Sequence, residues 1–151
     1  MGKPSPQPPS DSAGFSRWPW WRRWFGRRSE RAAARYLRKL GYRVIASNVL
    51  DAAGEIDLIA IDGETMVVVE VRSTASADPE DLEAKAASVD AAKQRKITGA
   101  ALRFLNRRRL LGKIAVRFDV LILSWPAAAR EPIVRHYPHA FDAVGRFQMF
   151  S

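Results

Sequence analysis

The sequence predicts an α/β domain in which a mixed β-sheet of about five strands is flanked by helices, in the order αβββαββ. Apolar residues recur at helical spacing in two segments, and alternating or continuous apolar runs around them indicate the strands. A chain of 151 residues with 47% hydrophobic content is sufficient to build one ordinary core. Because the chain has no cysteine, any bound metal must be held by oxygen or histidine ligands.

The first helix is predicted to begin at Ser29, which is suited to cap its N-terminus, and to end at Gly41. Between them an apolar stripe recurs at helical spacing: Ala33, Tyr36, Leu37 and Leu40. Residues 42–48 then indicate a strand. Residues 54–72 indicate two strands joined by a turn around Asp62 and Gly63.

The second half of the domain is predicted to contain one helix and two strands. Residues 73–85 form a polar loop, with a helical turn beginning at Pro79. The helix extends from Ser88, a suitable N-cap, to about Arg108 and carries a basic face made of Lys93, Arg95, Lys96, Arg103 and Arg107. Residues 113–125 are typical of a central strand and residues 131–141 of a strand near the sheet edge.

The charge of the chain favours a polyanionic partner. Its formal net charge is +9 and its pI is near 10.6, which points to nucleic acid first and to an anionic membrane second. Residues 1–29 hold six basic residues against one acidic residue, more than half of the excess. No apolar run is long enough to span a bilayer and no secretory signal is evident, so we expect a cytoplasmic protein.

Residues 1–28 are expected to form a disordered, basic, Trp/Arg-rich leader in front of a domain at residues 29–151. Within it, residues 17–28 interleave aromatic side chains with arginines: RWPWWRRWFGRR. Such a segment can stack on bases while it contacts phosphates, or can bind an anionic membrane surface. The alternative is an extension whose aromatic residues pack on the domain or stay unstructured.

The predicted hairpin carries charges inside its two apolar runs, at Asp57, Glu70 and Arg72. A two-residue loop at Asp62 and Gly63 places Asp57 diagonal to Glu70, whereas a four-residue loop over 62–65 places the two directly opposite. Two carboxylates about 5 Å apart repel by roughly 3 kcal/mol at an effective dielectric constant near 20, so a cation such as Mg²⁺ is expected between them. The alternative is carboxylates that face solvent or pair with Lys and Arg at a sheet edge.

Three stretches of the chain together resemble the YraN family of bacterial proteins: GEIDLIA, then VVVEVR, then KQRK on the following helix. A glutamate-bearing helix precedes them, as in the family. The resemblance covers about residues 29–141 and implies a restriction-endonuclease-like core of the PD-(D/E)XK nuclease superfamily, which also includes Holliday-junction resolvases.

The resemblance implies a role for each matching residue. Glu30, Asp57 and Glu70 would bind Mg²⁺ or Mn²⁺, and Arg72 stands where the superfamily has a lysine. Lys93 and Gln94 match the contribution of the second helix near the scissile phosphate, and Gly54 and Glu55 belong to the pattern around the motif. A guanidinium stays charged, so Arg72 can offset phosphate charge but cannot accept a proton from water.

Other polar residues have simpler interpretations beside a functional one. Lys93, Arg95 and Lys96 can bind a nucleic-acid backbone or form a solvated helix face. Asp119 is expected to form a structural salt bridge with Arg117 or with a neighbouring strand. His136 and His139 are expected to serve packing or the surface.

The leading hypothesis is therefore a metal-dependent endonuclease acting on DNA, including branched or repair intermediates. The first alternative is a nucleic-acid-binding module of the same fold with little catalysis, and the second is a membrane-surface adaptor that binds through the leader. Because resolvase-like proteins are often dimers, the resemblance also allows a homodimer.

Overall fold

The structure is a computed structural model that describes residues 19–52 and 54–143. The helices are α1 (Pro19–Lys39), α2 (Pro79–Ala87) and α3 (Ala91–Arg107). The strands are β1 (Arg43–Asp51), β2 (Gly54–Asp62), β3 (Thr65–Thr74), β4 (Ala115–Ser124) and β5 (Ile133–Phe141). Within the described residues the strand order is β1-β2-β3-β4-β5, and the pairs are antiparallel except for β3 and β4, which are parallel. The predicted mixed sheet with flanking helices is confirmed, with α2 as an added helix.

Helix α1 begins at Pro19, so the predicted start at Ser29 is wrong. Ser29 lies inside the helix and is buried, where its hydroxyl is hydrogen-bonded to the Ser73 hydroxyl and accepts a hydrogen bond from Trp125 Nε1 at 3.0 Å. The serine therefore anchors α1 to the ends of β3 and β4 instead of capping it. Residues 19–28 have a helical backbone where disorder was expected, and residues 1–18 of the predicted leader lie outside the described residues.

The helices between β3 and β4 also differ from the prediction. The helical turn predicted to begin at Pro79 is the start of a full helix, α2, because the Asp78 carboxylate accepts a hydrogen bond from the Glu80 amide at 2.9 Å and caps it; residues 79–85 are therefore not part of a polar loop. Helix α3 is capped by Asp90, not by Ser88 as predicted. The Asp90 carboxylate accepts from the Lys93 amide at 2.9 Å, and Ser88 instead ends α2.

The sheet separates two apolar layers. On one face α3 packs through Ile97 and Phe104 against side chains such as Ile59 and Val68. The other face is covered by α1, where Ala33 and Leu37 are fully buried against residues that include Leu58 and Val67. Among the described residues no helix is both long and apolar enough to cross a membrane. Near the start of β2 and the end of β3, charged residues alternate with the apolar ones: Asp57 in β2, and Glu70 and Arg72 in β3.

Candidate metal and phosphate site

The β2–β3 register determines how the predicted carboxylates meet. Asp62 pairs with Thr65 and Leu58 pairs with Val69, so the loop consists of Gly63 and Glu64. Continued by one step, this register places Asp57 directly opposite Glu70, which is the arrangement that the longer predicted loop would have given. The turn is shorter than that loop because Gly63 adopts a φ of +60°, which suits a tight hairpin.

Asp57 is held in place by the neighbouring strand. Its Oδ2 accepts a hydrogen bond from the Val71 amide at 2.8 Å, just beyond the last regular pair of the β2–β3 ladder. This bond replaces a backbone partner at the point where the two strands diverge, and it directs the carboxylate towards the end of β3. Asp57 and Glu70 are therefore brought together by the hairpin itself.

A group of three acidic side chains forms around Asp57. Glu30 of α1, Glu55 and Asp57 of β2 each offer a carboxylate oxygen, and these oxygens lie within 4.8 Å of one another. The predicted metal group was Glu30, Asp57 and Glu70, whereas the group within this distance has Glu55 in place of Glu70. The signal was present, because a strand periodicity of two residues puts Glu55 and Asp57 on the same face.

Burial and mutual repulsion perturb these carboxyl groups. Burial raises the pKa of Asp57 well above its ordinary value, and the Glu70 charge raises it further. Burial is also the main cause that raises the pKa of Glu30, against a hydrogen bond from Asn48 that lowers it, and the Glu55 charge adds to the increase. The protein itself therefore leaves this group short of positive charge.

Glu70 is the most buried acid of the site, with 5% of its surface exposed. Arg72 Nε lies 3.3 Å and Lys93 Nζ lies 3.6 Å from Glu70 Oε1, the first without hydrogen-bond geometry. Glu70 Oε2 is buried and, with Asp57 ionised, has no hydrogen-bond partner among the described residues. A buried carboxylate oxygen without a partner is costly, and a hard cation bound by oxygen ligands would satisfy it. The residues present thus fit a divalent cation such as Mg²⁺.

Helix α3 brings only part of its predicted contribution to the acids. Lys93 reaches Glu70, whereas Gln94 Nε2 donates to the Val89 carbonyl oxygen at 2.9 Å. Arg95 and Lys96 are exposed on the helix surface. The helix approaches the start of β2 closely, since a Cβ atom on Gly54 would lie 3.2 Å from the Lys96 Cβ atom. Gly54 thus allows the basic helix to lie beside the acidic group.

Asp119 belongs to a separate network on the α1 side of the sheet. It is fully buried and accepts two hydrogen bonds from the Arg117 guanidinium, at 2.8 and 3.0 Å. His136 Nε2 lies 2.7 Å from its Oδ2, and Arg117 also bonds to Asp62 and Tyr42. The predicted salt bridge between Asp119 and Arg117 is confirmed, and His136 also contacts the Asp119 carboxylate.

Fold and site together define a class: an α/β domain whose β2–β3 hairpin presents a cluster of carboxylates beside basic side chains of β3 and α3. The family model described as "Uncharacterised protein family UPF0102" matches residues 29–123. The chain belongs to this family, the one whose YraN-like pattern was evident in the sequence.

Curated relatives extend over most of the chain. A UPF0102 protein of Rhodopirellula baltica is 48% identical over 123 residues, which are 80% of this chain and 71% of that protein. One from Persephonella marina is 42% identical over 120 residues, covering 78% of this chain and 92% of the relative. One from Treponema pallidum is 39% identical over 114 residues, or 75% and 88% of the two chains. All three share the family description.

Proposed function

We propose that this protein is a Mg²⁺- or Mn²⁺-dependent endonuclease that hydrolyses phosphodiester bonds in DNA, with branched or repair intermediates as candidate substrates. The observation that carries the proposal is the group formed by Glu30, Glu55 and Asp57, whose oxygens lie within 4.8 Å of one another beside the buried Glu70 carboxylate. Such oxygen-only groups suit hard divalent cations. The PD-(D/E)XK resemblance of the hairpin supports the same chemistry.

Each side chain has a role in this proposal. Asp57, Glu70 and Glu30 would hold the cation, and Glu55, whose carboxylate oxygen lies within 4.8 Å of those of Glu30 and Asp57, would be a further ligand. A divalent cation there would polarise a phosphoryl oxygen and lower the pKa of water. The chain's own contribution is to fix the carboxylates by strand pairing and to exclude water from Glu70.

The positive side chains would bind the phosphate. Lys93 Nζ and Arg72 Nε both lie within 4 Å of Glu70 Oε1, so a phosphate placed over this carboxylate would contact both. Arg72 stabilises negative charge without exchanging a proton. Lys93 supplies an ammonium group to the same carboxylate oxygen, from α3. Gln94 would need to exchange its bond to Val89 for one to substrate.

The second candidate is a nucleic-acid-binding module of the same fold with little catalysis. The specific observation that favours it is Arg72, which replaces the lysine of the PD-(D/E)XK pattern and is ion-paired with Glu70 at 3.3 Å. If that lysine is needed as a base, an arginine cannot serve.

Cleavage assays on branched, single-stranded and duplex DNA with Mg²⁺ or Mn²⁺ test the proposal. We expect cleavage by the natural chain, loss of at least a hundredfold in Asp57→Asn and Glu70→Gln, and unchanged cleavage in Glu64→Gln, which removes an exposed charge from the hairpin turn. Cleavage that survives both site substitutions would refute the assigned site. DNA binding without cleavage by the natural chain, with cleavage gained in Arg72→Lys, would establish the module instead.

A further inference from the structure

A groove of about 440 Å³ lies between α1 and β1, beside the acidic group. Its α1 wall contains Glu30 and four arginines, Arg27, Arg31, Arg35 and Arg38. Its β1 wall contains the polar residues Ser47 and Asn48. Neither the charge of the chain nor the superfamily pattern assigned a role to this groove. Four of its ten lining residues are arginines, so its chemistry is that of an anion site.

The arginines form a stripe along one face of α1, which we call the α1 arginine stripe: Arg27, Arg31, Arg35 and Arg38. Spacings of four, four and three residues keep them on the same side of the helix. All four side chains are exposed, and the opposite side of α1 is buried through Ala33 and Leu37. The stripe is therefore not required for packing.

Within the described residues, Arg31, Arg35 and Arg38 form no ion pair with a carboxylate. Like charges one turn apart destabilise a helix by about 0.2–0.5 kcal/mol per pair. By contrast, exposed Arg103 and Arg107 on α3 both pair with Asp51. Three arginines of the stripe that line a groove without a carboxylate partner call for an anionic occupant with several charges in a row.

The groove and the acidic group share residues. Glu30 lines the groove and is also one of the three clustered acids, and Asn48 lines the groove and hydrogen-bonds the Glu30 carboxylate. From Arg27 to Arg38 the helix rises about 16 Å, which is long enough for several successive phosphates of one strand. A strand that follows the stripe from Arg38 to Arg31 therefore reaches the carboxylates at Glu30.

We propose that the groove between α1 and β1 binds the phosphodiester backbone of one nucleic-acid strand and delivers it to the acidic group. The direction of the strand towards the carboxylates rests on the proposed function, whereas the binding itself rests on the α1 arginine stripe alone. Ser47 and Asn48 on the facing wall are polar and can donate to phosphate or sugar oxygens. The α3 cations, Lys93 foremost, would then contact the strand on the far side of the acids.

An anionic membrane is the competing polyanion, and the shape of the site argues against it. Membrane-surface helices expose an apolar face that enters the acyl boundary, whereas Ala33, Ala34 and Leu37, which form the apolar face of α1 over residues 27–39, are buried against the sheet. The arginines line a concave surface with polar residues opposite, which fits an extended chain better than a plane of headgroups.

The test compares two triple variants that remove the same charge. Arg31→Gln/Arg35→Gln/Arg38→Gln neutralises the stripe, and Arg109→Gln/Lys113→Gln/Arg130→Gln neutralises three exposed cations elsewhere. Binding of fluorescent single-stranded DNA, single-stranded RNA and duplex DNA is measured by anisotropy in EDTA over 50–200 mM KCl. Without Mg²⁺, neither cleavage nor metal binding contributes to the readout.

We expect the stripe variant to lower the slope of log affinity against log salt by about two, because each phosphate contact contributes about 0.7–0.9. When the salt concentration rises fourfold, the stripe variant should then lose roughly 20-fold less of its affinity for single strands than the natural chain loses. At low salt the stripe variant should bind more weakly than the control variant. If both triple variants weaken binding equally, only net charge matters and the groove is not the site. The proposal is also refuted if the stripe variant binds nucleic acid normally but no longer binds phosphatidylserine vesicles. The DNA and RNA probes identify which strand is preferred.

Two further measurements keep the result decisive. Urea midpoints show whether the stripe variant is folded; if it is not, Arg35→Gln alone must lower the slope by about 0.7–0.9. The stripe variant should also keep any stabilisation by Mg²⁺, since it leaves Glu30, Glu55 and Asp57 in place. The natural chain could bind nucleic acid through the stripe and yet show neither stabilisation by Mg²⁺ nor cleavage. This outcome would overturn the proposed nuclease activity and would still support the groove as the binding site.

Discussion

Asp57→Asn should stabilise the metal-free protein. Asp57 lies among Glu30, Glu55 and Glu70, and burial together with these charges raises its pKa. Between about pH 3.9, where an unfolded aspartate titrates, and the higher folded pKa, the native state binds more protons than the unfolded state. Native stability therefore falls as pH rises through that range, and an uncharged amide in place of the Asp57 carboxylate would remove this loss.

The size of the effect follows from the spacing of the acids. Two ionised oxygens 4.8 Å apart repel by about 3 kcal/mol at an effective dielectric constant near 20. Arg72 and Lys93 beside Glu70 offset part of this repulsion. We expect a net gain of about 1–2 kcal/mol in the free energy of unfolding at pH 8. The amide oxygen can still accept the hydrogen bond from the Val71 amide, so little is lost.

Urea denaturation in EDTA and in 10 mM MgCl₂ measures both halves of this reasoning. In EDTA the Asp57→Asn chain should unfold at higher urea than the natural chain, and added Mg²⁺ should stabilise the natural chain but not the variant. Glu64→Gln removes an exposed acid from the same hairpin and should change neither result. A variant that is less stable than the natural chain in EDTA, or that gains equally from Mg²⁺, would show that Asp57 is not under the repulsion described.

Three other changes test the remainder of the structure. Burial raises the pKa of Asp119, but hydrogen bonds from His136 and Arg117 outweigh it and lower the pKa overall, so its stabilisation should be lost as pH falls through that lowered pKa. Asp119→Asn should cost about 3 kcal/mol at pH 7 and flatten the acid end of a pH series of urea midpoints. Gly54→Ala should cost about 1 kcal/mol by the same assay, since its Cβ meets Lys96 at 3.2 Å. Leu37→Ala should lower the unfolding free energy by about 2–5 kcal/mol, because Leu37 of α1 is fully buried against the sheet.

The strands were predictable from sequence because their signal is local. Alternating or continuous apolar runs in β2, β3 and β4 record burial on one or both faces, and the order of elements follows from them. Helix boundaries were less predictable where several capping residues compete. Ser88 and Asp90 both suit an N-cap, but Ser88 is the C-cap of α2, which leaves Asp90 to cap α3. Ser29 was predicted to be a cap because its true partners, Ser73 and Trp125, are distant in the sequence, so no local pattern reveals these buried contacts.

The candidate site was predictable as far as one hairpin extends. Strand periodicity together with a two- or four-residue loop places Asp57 and Glu70 on a common face, and periodicity would equally have placed Glu55 beside Asp57. Glu30 is nearly thirty residues away, so its position depends on how α1 crosses the sheet, which no local pattern encodes. The same holds for the groove: the spacing of Arg31, Arg35 and Arg38 is visible in the sequence, but the β1 wall opposite them is not.

The position of α3 in the structure changes what the replacement of a lysine by Arg72 implies for the chemistry of the site. In the sequence, Arg72 is the only cation next to Glu70, so the loss of a lysine there suggests the loss of an amine from the site. In the structure, Lys93 Nζ lies 3.6 Å from the same Glu70 oxygen that Arg72 approaches at 3.3 Å. The site therefore retains a lysine amine, supplied by a helix instead of by the strand, and Arg72 adds a permanent charge to it. The proposed activity would therefore depend on the close approach of α3 to β2 at Gly54, where a Cβ atom would lie 3.2 Å from the Lys96 Cβ atom, because Lys93 is on the same helix.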